Sequence, residues 1–182
     1  NNGASTKVHT SFRNSSADFQ WLKGIGYGKR GDIIDSHILR KDAFFSVEGL
    51  AFPGLSAINA YALLSFTNSI IGEYMVNLYT AQHKQAGNMN LLPMPDYENR
   101  QSDIERIVNA IIEIKRHWFS LDETNLEYHG LIAQMNISES IEDSINKLQS
   151  AISADYLRYK ELVKENDDLW MDLANIDRES EF

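Results

Sequence analysis

The chain has 182 residues, enough for one ordinary domain or one domain with an appendage. Apolar residues at 43% and charged residues at 24% fit a protein that buries a core, and the lack of cysteine excludes disulfides, thiolate metal sites and cysteine nucleophiles. The formal charge of −9 argues against a generally basic nucleic-acid binder, but 8 Lys and Arg face 6 Asp and Glu in residues 1–95, against 9 and 20 in residues 96–182, so the first half remains suited to phosphate.

Residues 1–18 are polar, rich in Ser and Asn, and read as a loose N-terminal segment. Asn1 is no initiator methionine and no apolar signal core follows it, so the start reads as processed or artificial. The chain is expected to be a piece of a longer, cytoplasmic protein. "FQWLKGIGYGKRGDIIDSHILRKDAFFSVEGLAF", Phe19 to Phe52, mixes aromatic and β-branched residues with glycines and suggests short strands joined by turns. Within it "GIGYGKRG" alternates Gly24, Gly26 and Gly28, which fits neither the dinucleotide fingerprint nor the phosphate loop. It reads as a flexible strand-connecting turn with Lys29 and Arg30 at its tip, where cations suffice to meet a phosphate.

After the break at Gly49, Pro53 and Gly54, the pattern turns helical from Ser56. Thr67, Asn68 and Ser69 are good N-cap residues, so two helices are expected to meet near Asn68. The run is long enough to span a bilayer, but Asn59, Asn68, Glu73 and Asn77 are costly there, and two buried helices with no membrane partner are the reading. "AQHKQAGNMNLLPMP" follows as a polar loop whose Pro93 and Pro95 block helix continuation.

Ser102 and Glu105 are spaced as a capping box, and Ile104, Ile107, Val108, Ile111, Ile112 and Lys115 recur at helical spacing, with Trp118 closing the stripe. "FSLDETNLEYHG" interrupts it. A last helix is expected from about Ser138 to Leu173, with Ile141, Ile145, Leu148, Ile152, Tyr156, Tyr159 and Val163 on one side like a bundle or coiled-coil seam. The class is therefore α+β: a small mixed β region in the N-terminal half, then helices, with a C-terminal long-helix or helical-bundle region. The expected divisions are 1–18, 19–100 and 101–182.

Little catalytic chemistry is legible. Pro95-Asp96 and Glu113-Ile114-Lys115 match a loose metal-nuclease pattern, but residues two apart on a helix point to different faces and cannot converge on one ion. His9, His37, His83, His117 and His129 lack metal spacing, and no glycine-bearing calcium loop surrounds Asp167-Asp168. Trp118, Tyr128 and Trp170 are expected to pack in the core, and no catalytic, cofactor or metal site is expected in this chain.

The segment "YALLSFTNSIIGEYMVNLYTAQHKQAGNMNLLPMPDYENRQSDIERIVNAII" resembles the target recognition domains of bacterial DNA modification enzymes. That pattern is an apolar helix ending in "L-x-x-x-N-S" (Leu64 to Ser69), an amphipathic helix (Ile70 to Tyr79), a polar loop (Gln82 to Asn90) and "L-P-x-P" (Leu92 to Pro95). "FFSVEGLAFPG" is similar to the strand and glycine turn before this unit. "HWFSLDETNLEYHG" is similar to a segment of the adenine-N6 methyltransferases of type IIG restriction and BREX phage-defence systems, with His117 where those proteins usually carry an aspartate. The likeness spans roughly residues 43–128 and is shared with type I restriction specificity subunits.

The resemblance implies sequence-specific recognition of double-stranded DNA, with S-adenosylmethionine bound by the parent protein. This chain has no Asp/Asn/Ser-Pro-Pro-aromatic motif, since Pro53, Pro93 and Pro95 are its only prolines, so it is not expected to methylate by itself. Lys29, Arg30, Arg40, Lys41 and Lys84 are the candidate phosphate contacts, and Gln85 and Asn88 have amides suited to the major-groove edge of adenine. The acidic helices would dock on the catalytic methyltransferase domain. The alternative is a helical interaction module without nucleic-acid binding that forms an oligomer through its C-terminal helix.

Overall fold

A computed structural model describes residues 17–40, 43, 45, 48–80, 82–130 and 140–176. The architecture is α+β, with a three-stranded antiparallel sheet in the N-terminal half and helices after it. The chain divides into two compact units, residues 1–94 and residues 95–182.

In the first unit β1 (Gly24–Gly28) is the central strand, flanked by β2 (His37–Leu39) and β3 (Gly49–Pro53). "GIGYG" is thus a buried strand, not the flexible turn its glycines suggested; the turn begins after it, at Lys29. The alternation itself explains the difference. Ile25 and Tyr27 share one face of the pleat, opposite Phe52 and Leu50 of β3. There Tyr27 joins Ile34, Val76 and Met89 in a core that Leu50, Phe52 and Leu92 extend. The glycines occupy the other face, and a side chain at Gly24 would meet the Phe52 carbonyl oxygen at 2.0 Å.

Two helices follow, α1 (Ala57–Thr67) and α2 (Ile70–Tyr79), meeting at Asn68 as the cap residues indicate. Ser69 is buried and caps α2: its hydroxyl donates to the Phe66 carbonyl at 2.6 Å and accepts the Gly72 N–H at 3.2 Å. Asn68 ties this joint to the sheet, because its side chain accepts from the Ser36 N–H and donates to the Ser36 and Leu64 carbonyls. α2 leaves so close to the end of α1 that a methyl group at Gly72 would lie 2.0 Å from the Phe66 carbonyl oxygen.

The second unit opens with a 3-10 turn, Glu98–Arg100, that runs into α4 (Gln101–Leu121); the single-turn α3 (Ala86–Met89) belongs to the first unit. The Ser102 and Glu105 capping box does not form. Helical winding starts upstream, where Asp96 accepts the Glu98 N–H at 3.0 Å and Arg100 donates to Asp103 at 2.7 Å. The last helix, α5 (Ile141–Leu173), is capped by Ser140, which accepts the Asp143 N–H. The expected start at Ser138 lies outside the described residues.

α5 packs antiparallel on α4, since Arg100 pairs with Asp172, Arg106 with Glu165 and His117 with Asp155. Ile104, Ile107, Val108 and Ile114 of α4 and Leu162, Leu169 and Trp170 of α5 are buried. The expected seam holds in part: Leu148, Ile152, Tyr159 and Val163 are half-buried, whereas Ile141, Ile145 and Tyr156 are exposed. With Asp155 already opposite His117, the first turns of α5 run beyond the end of α4, which leaves Ile141 and Ile145 uncovered, and the fully buried positions are Ser144, Leu162, Asn166, Leu169 and Trp170. Trp118 meets Tyr159 edge-on at 5.3 Å and Trp170 is buried, whereas Tyr128 is exposed, contrary to its expected core place. Among the described residues no helix is long and apolar enough to cross a membrane.

Two stability measurements test these contacts. Gly72→Ala should gain about 1 kcal/mol if helix propensity governed the site; the clash with Phe66 instead predicts a loss of about 1–3 kcal/mol in urea unfolding. Trp170→Ala should cost about 3–5 kcal/mol, whereas Arg106→Ala, at a half-exposed ion pair, should cost less than about 1 kcal/mol.

Candidate nucleic-acid interface

The structure sorts the candidate cations to opposite ends of the sheet. Lys29 and Arg30 follow the last residue of β1, in a turn through Gly31 at φ +108°. Arg40 follows β2, whose Leu39 pairs with Gly24 at the first residue of β1. A five-residue strand, roughly 15 Å of extended chain, separates them. Arg40 is exposed but does not join the others. Lys41 lies outside the described residues.

At the Lys29 end, the segment after α2 comes back and pairs through one isolated antiparallel bridge. Arg30 bridges His83, the Gly31 N–H donates to the Gln82 carbonyl at 3.3 Å, and the Lys84 N–H donates to the Lys29 carbonyl at 2.7 Å. Thr80 donates its hydroxyl to the His83 carbonyl at 2.6 Å, which curls the chain out of α2. The polar loop is therefore paired into the unit, and Met89 and Leu92 anchor its later part in the core.

Lys84 does not stand ready for phosphate. Its side chain is fully buried and its ammonium donates to the Gly31 carbonyl. Burial pushes its pKa down, opposed by the charges of Asp32 and Glu73. Lys84 is a strut that fixes the 29–31 turn. Gln85, by contrast, is exposed at the N-cap of α3, where its side chain makes no capping bond. Asn88 is half-buried one turn later, with its N–H on the Gln85 carbonyl.

Glu48 completes the site. Its two oxygens take one cation each: Lys29 Nζ lies 3.3 Å from Oε1 and Arg30 Nε lies 3.2 Å from Oε2. The Lys29 hydrogen bond, with the charges of Arg30 and Lys29, holds this carboxyl below the usual glutamate range. Sequence spacing gave no hint of Glu48, which lies 19 residues from Lys29. The available signal was strand pairing, because the register that sets Gly28 opposite Gly49 carries Glu48 to the cationic turn.

Other chemistry is dispersed. Asp96 caps a turn, Glu113 lies about three helical turns further on, and Lys115 sits over the rings of Trp118 and Tyr159 at 5.0 and 4.5 Å, so the nuclease pattern does not converge. Among the described residues no group of three or more His, Cys, Asp or Glu is placed to hold a metal ion. The arrangement at Lys29, Arg30, His83 and Gln85 can bind an anion and offer an amide beside it.

The strut is tested by contrast. Lys84→Ala should lower stability by about 2 kcal/mol or more, because it removes a buried side chain and leaves the Gly31 carbonyl without its donor. Arg30→Ala should stay within about 0.5 kcal/mol in the same urea titration. Comparison with protein-family models, curated proteins and solved structures finds no match for this chain.

Proposed function

We propose that the chain recognises DNA sequence as the target recognition part of an adenine-N6 methyltransferase of a restriction-modification or phage-defence system, and is not catalytic by itself. The observation that carries this reading is that backbone pairing brings the segment leading to Gln85 alongside the Lys29–Arg30 turn, more than 50 residues away in sequence, with Arg30 and Gln85 both exposed. Lys29 and Arg30 neutralise phosphates and set the register on the duplex. Gln85, with Asn88 behind it, reaches the amide-matching edge of adenine in the major groove. The resemblance supports the same reading, because its Asn-Ser pair and its Leu-Pro element coincide with the α1–α2 joint and the core anchor Leu92. The parent protein supplies S-adenosylmethionine and the methyl transfer.

The acidic hairpin of α4 and α5 then serves as a docking surface for the catalytic domain. Its exposed Ile141, Ile145, Tyr156 and Leu157 also favour the second reading, a helical interaction module. Charge reversal separates the two. Lys29→Glu with Arg30→Glu should abolish retention of a duplex in a low-salt gel shift. Milder Lys29→Ala with Arg30→Ala should flatten the slope of log affinity against log salt by about 1.8, or about 0.9 for each phosphate no longer neutralised. Failure of the unmodified chain to bind any duplex at low salt would sink the DNA reading. Loss of an oligomer in Ile145→Lys with Leu157→Lys, seen by sedimentation, would favour the other.

A further inference from the structure

We propose that the Lys29–Arg30 turn is a phosphodiester site that Glu48 occupies in the free protein, so that a DNA phosphate enters by displacing the Glu48 carboxylate. This inference rests on the DNA-recognition reading and names the residue that tunes it.

The geometry is that of a two-point anion site. One oxygen of Glu48 faces Lys29 and the other faces Arg30, at 3.3 and 3.2 Å. Arginine and lysine hold the non-bridging oxygens of a phosphate in the same manner, one charged N–H to each oxygen. The resident carboxylate therefore stands in for a phosphate. It is also cheap to displace: the Glu48 side chain is 57% exposed and that of Arg30 is 69% exposed, and ion pairs at such positions are worth little in water.

Room for the incoming group is already present. Among the described residues, chain neighbours aside, nothing lies within 4 Å of where a Cβ would stand at Gly49, next to Glu48, or at Gly31, next to Arg30. Neither flanking glycine adds a side chain of its own to the approach. Glu48 also stays ionised at physiological pH, because its cations hold its pKa low, so it competes at all times. With Glu48 in place the turn shows an approaching duplex one net positive charge from three charged groups; with Glu48 displaced it shows two.

Fluorescence anisotropy of a labelled duplex, titrated with the whole chain at stepped salt concentrations, tests this. Glu48→Gln keeps the shape and removes the competitor, and should tighten binding several-fold, up to about tenfold at low salt. The salt slope should stay nearly unchanged, because Lys29 and Arg30 neutralise the same two phosphates once Glu48 is displaced. The gain should vanish when Lys29→Ala and Arg30→Ala are added, because the carboxylate acts only through those cations. Asp18→Asn, which removes an exposed carboxylate that pairs with neither cation, is the control. Equal gains in Glu48→Gln and Asp18→Asn, or a gain that survives loss of both cations, would overturn the proposal as a bulk-charge effect. Duplex binding that Glu48→Gln leaves unchanged or weakens would overturn it while leaving the DNA reading intact. No duplex binding by any variant would overturn both.

Discussion

The first unit depends on how closely two helix ends approach. At the α1–α2 joint the Ser69 hydroxyl spans from the Phe66 carbonyl to the Gly72 N–H, and Gly72 lets the new helix start against the old one. Helix ends carry unpaired donors and acceptors, and burying them is costly unless each finds a partner. Ser69 resolves that locally. Asn68 resolves it at longer range by treating the Ser36 backbone as a strand would, accepting its N–H and donating to its carbonyl. One dipeptide therefore sets the angle between two helices and ties the pair to the β1–β2 connection. Val76 then falls on the Tyr27 core, and the chain leaving α2 arrives at the 29–31 turn.

The second unit rests on a different balance. Its antiparallel hairpin buries isoleucines of α4 against Leu162, Leu169 and Trp170, while the ion pairs along its flanks fix direction more than stability. Lys115, lying over two rings, lets a cation sit beside apolar packing without leaving water. The acidic surface that dominates the net charge is the solvated side of these helices.

What was legible in the sequence follows the range of the interaction involved. The break at Asn68 was readable because caps act over three residues, and the two long helices were readable because their apolar stripes persist for many turns. "GIGYG" misled because glycine alternation marks a loop and a tightly covered strand equally; only β3 lying over Gly24 tells them apart. The capping box at Ser102 failed because the winding already begins at Glu98, whose N–H Asp96 accepts. The seam on α5 was legible as a stripe, but its partner's length was not. At the candidate site Lys29 and Arg30 were visible as a basic tip. The buried state of Lys84 and the arrival of Glu48 were not, since both depend on pairings between residues distant along the chain.

The strut at Lys84 constrains how such a surface can change. Its ammonium must reach the Gly31 carbonyl from a segment whose place is set by the end of α2 and by Thr80. One residue added to or removed from α2 would rotate that segment by about 100° and withdraw the lysine from its socket. Length changes there would dismantle the turn before they altered its exposed side chains. Diversification is thereby channelled into side-chain exchange at Arg30, Glu48 and Gln85, positions whose exposure leaves the backbone beneath them indifferent to their identity. The scaffold behaves as a fixed socket with replaceable tips.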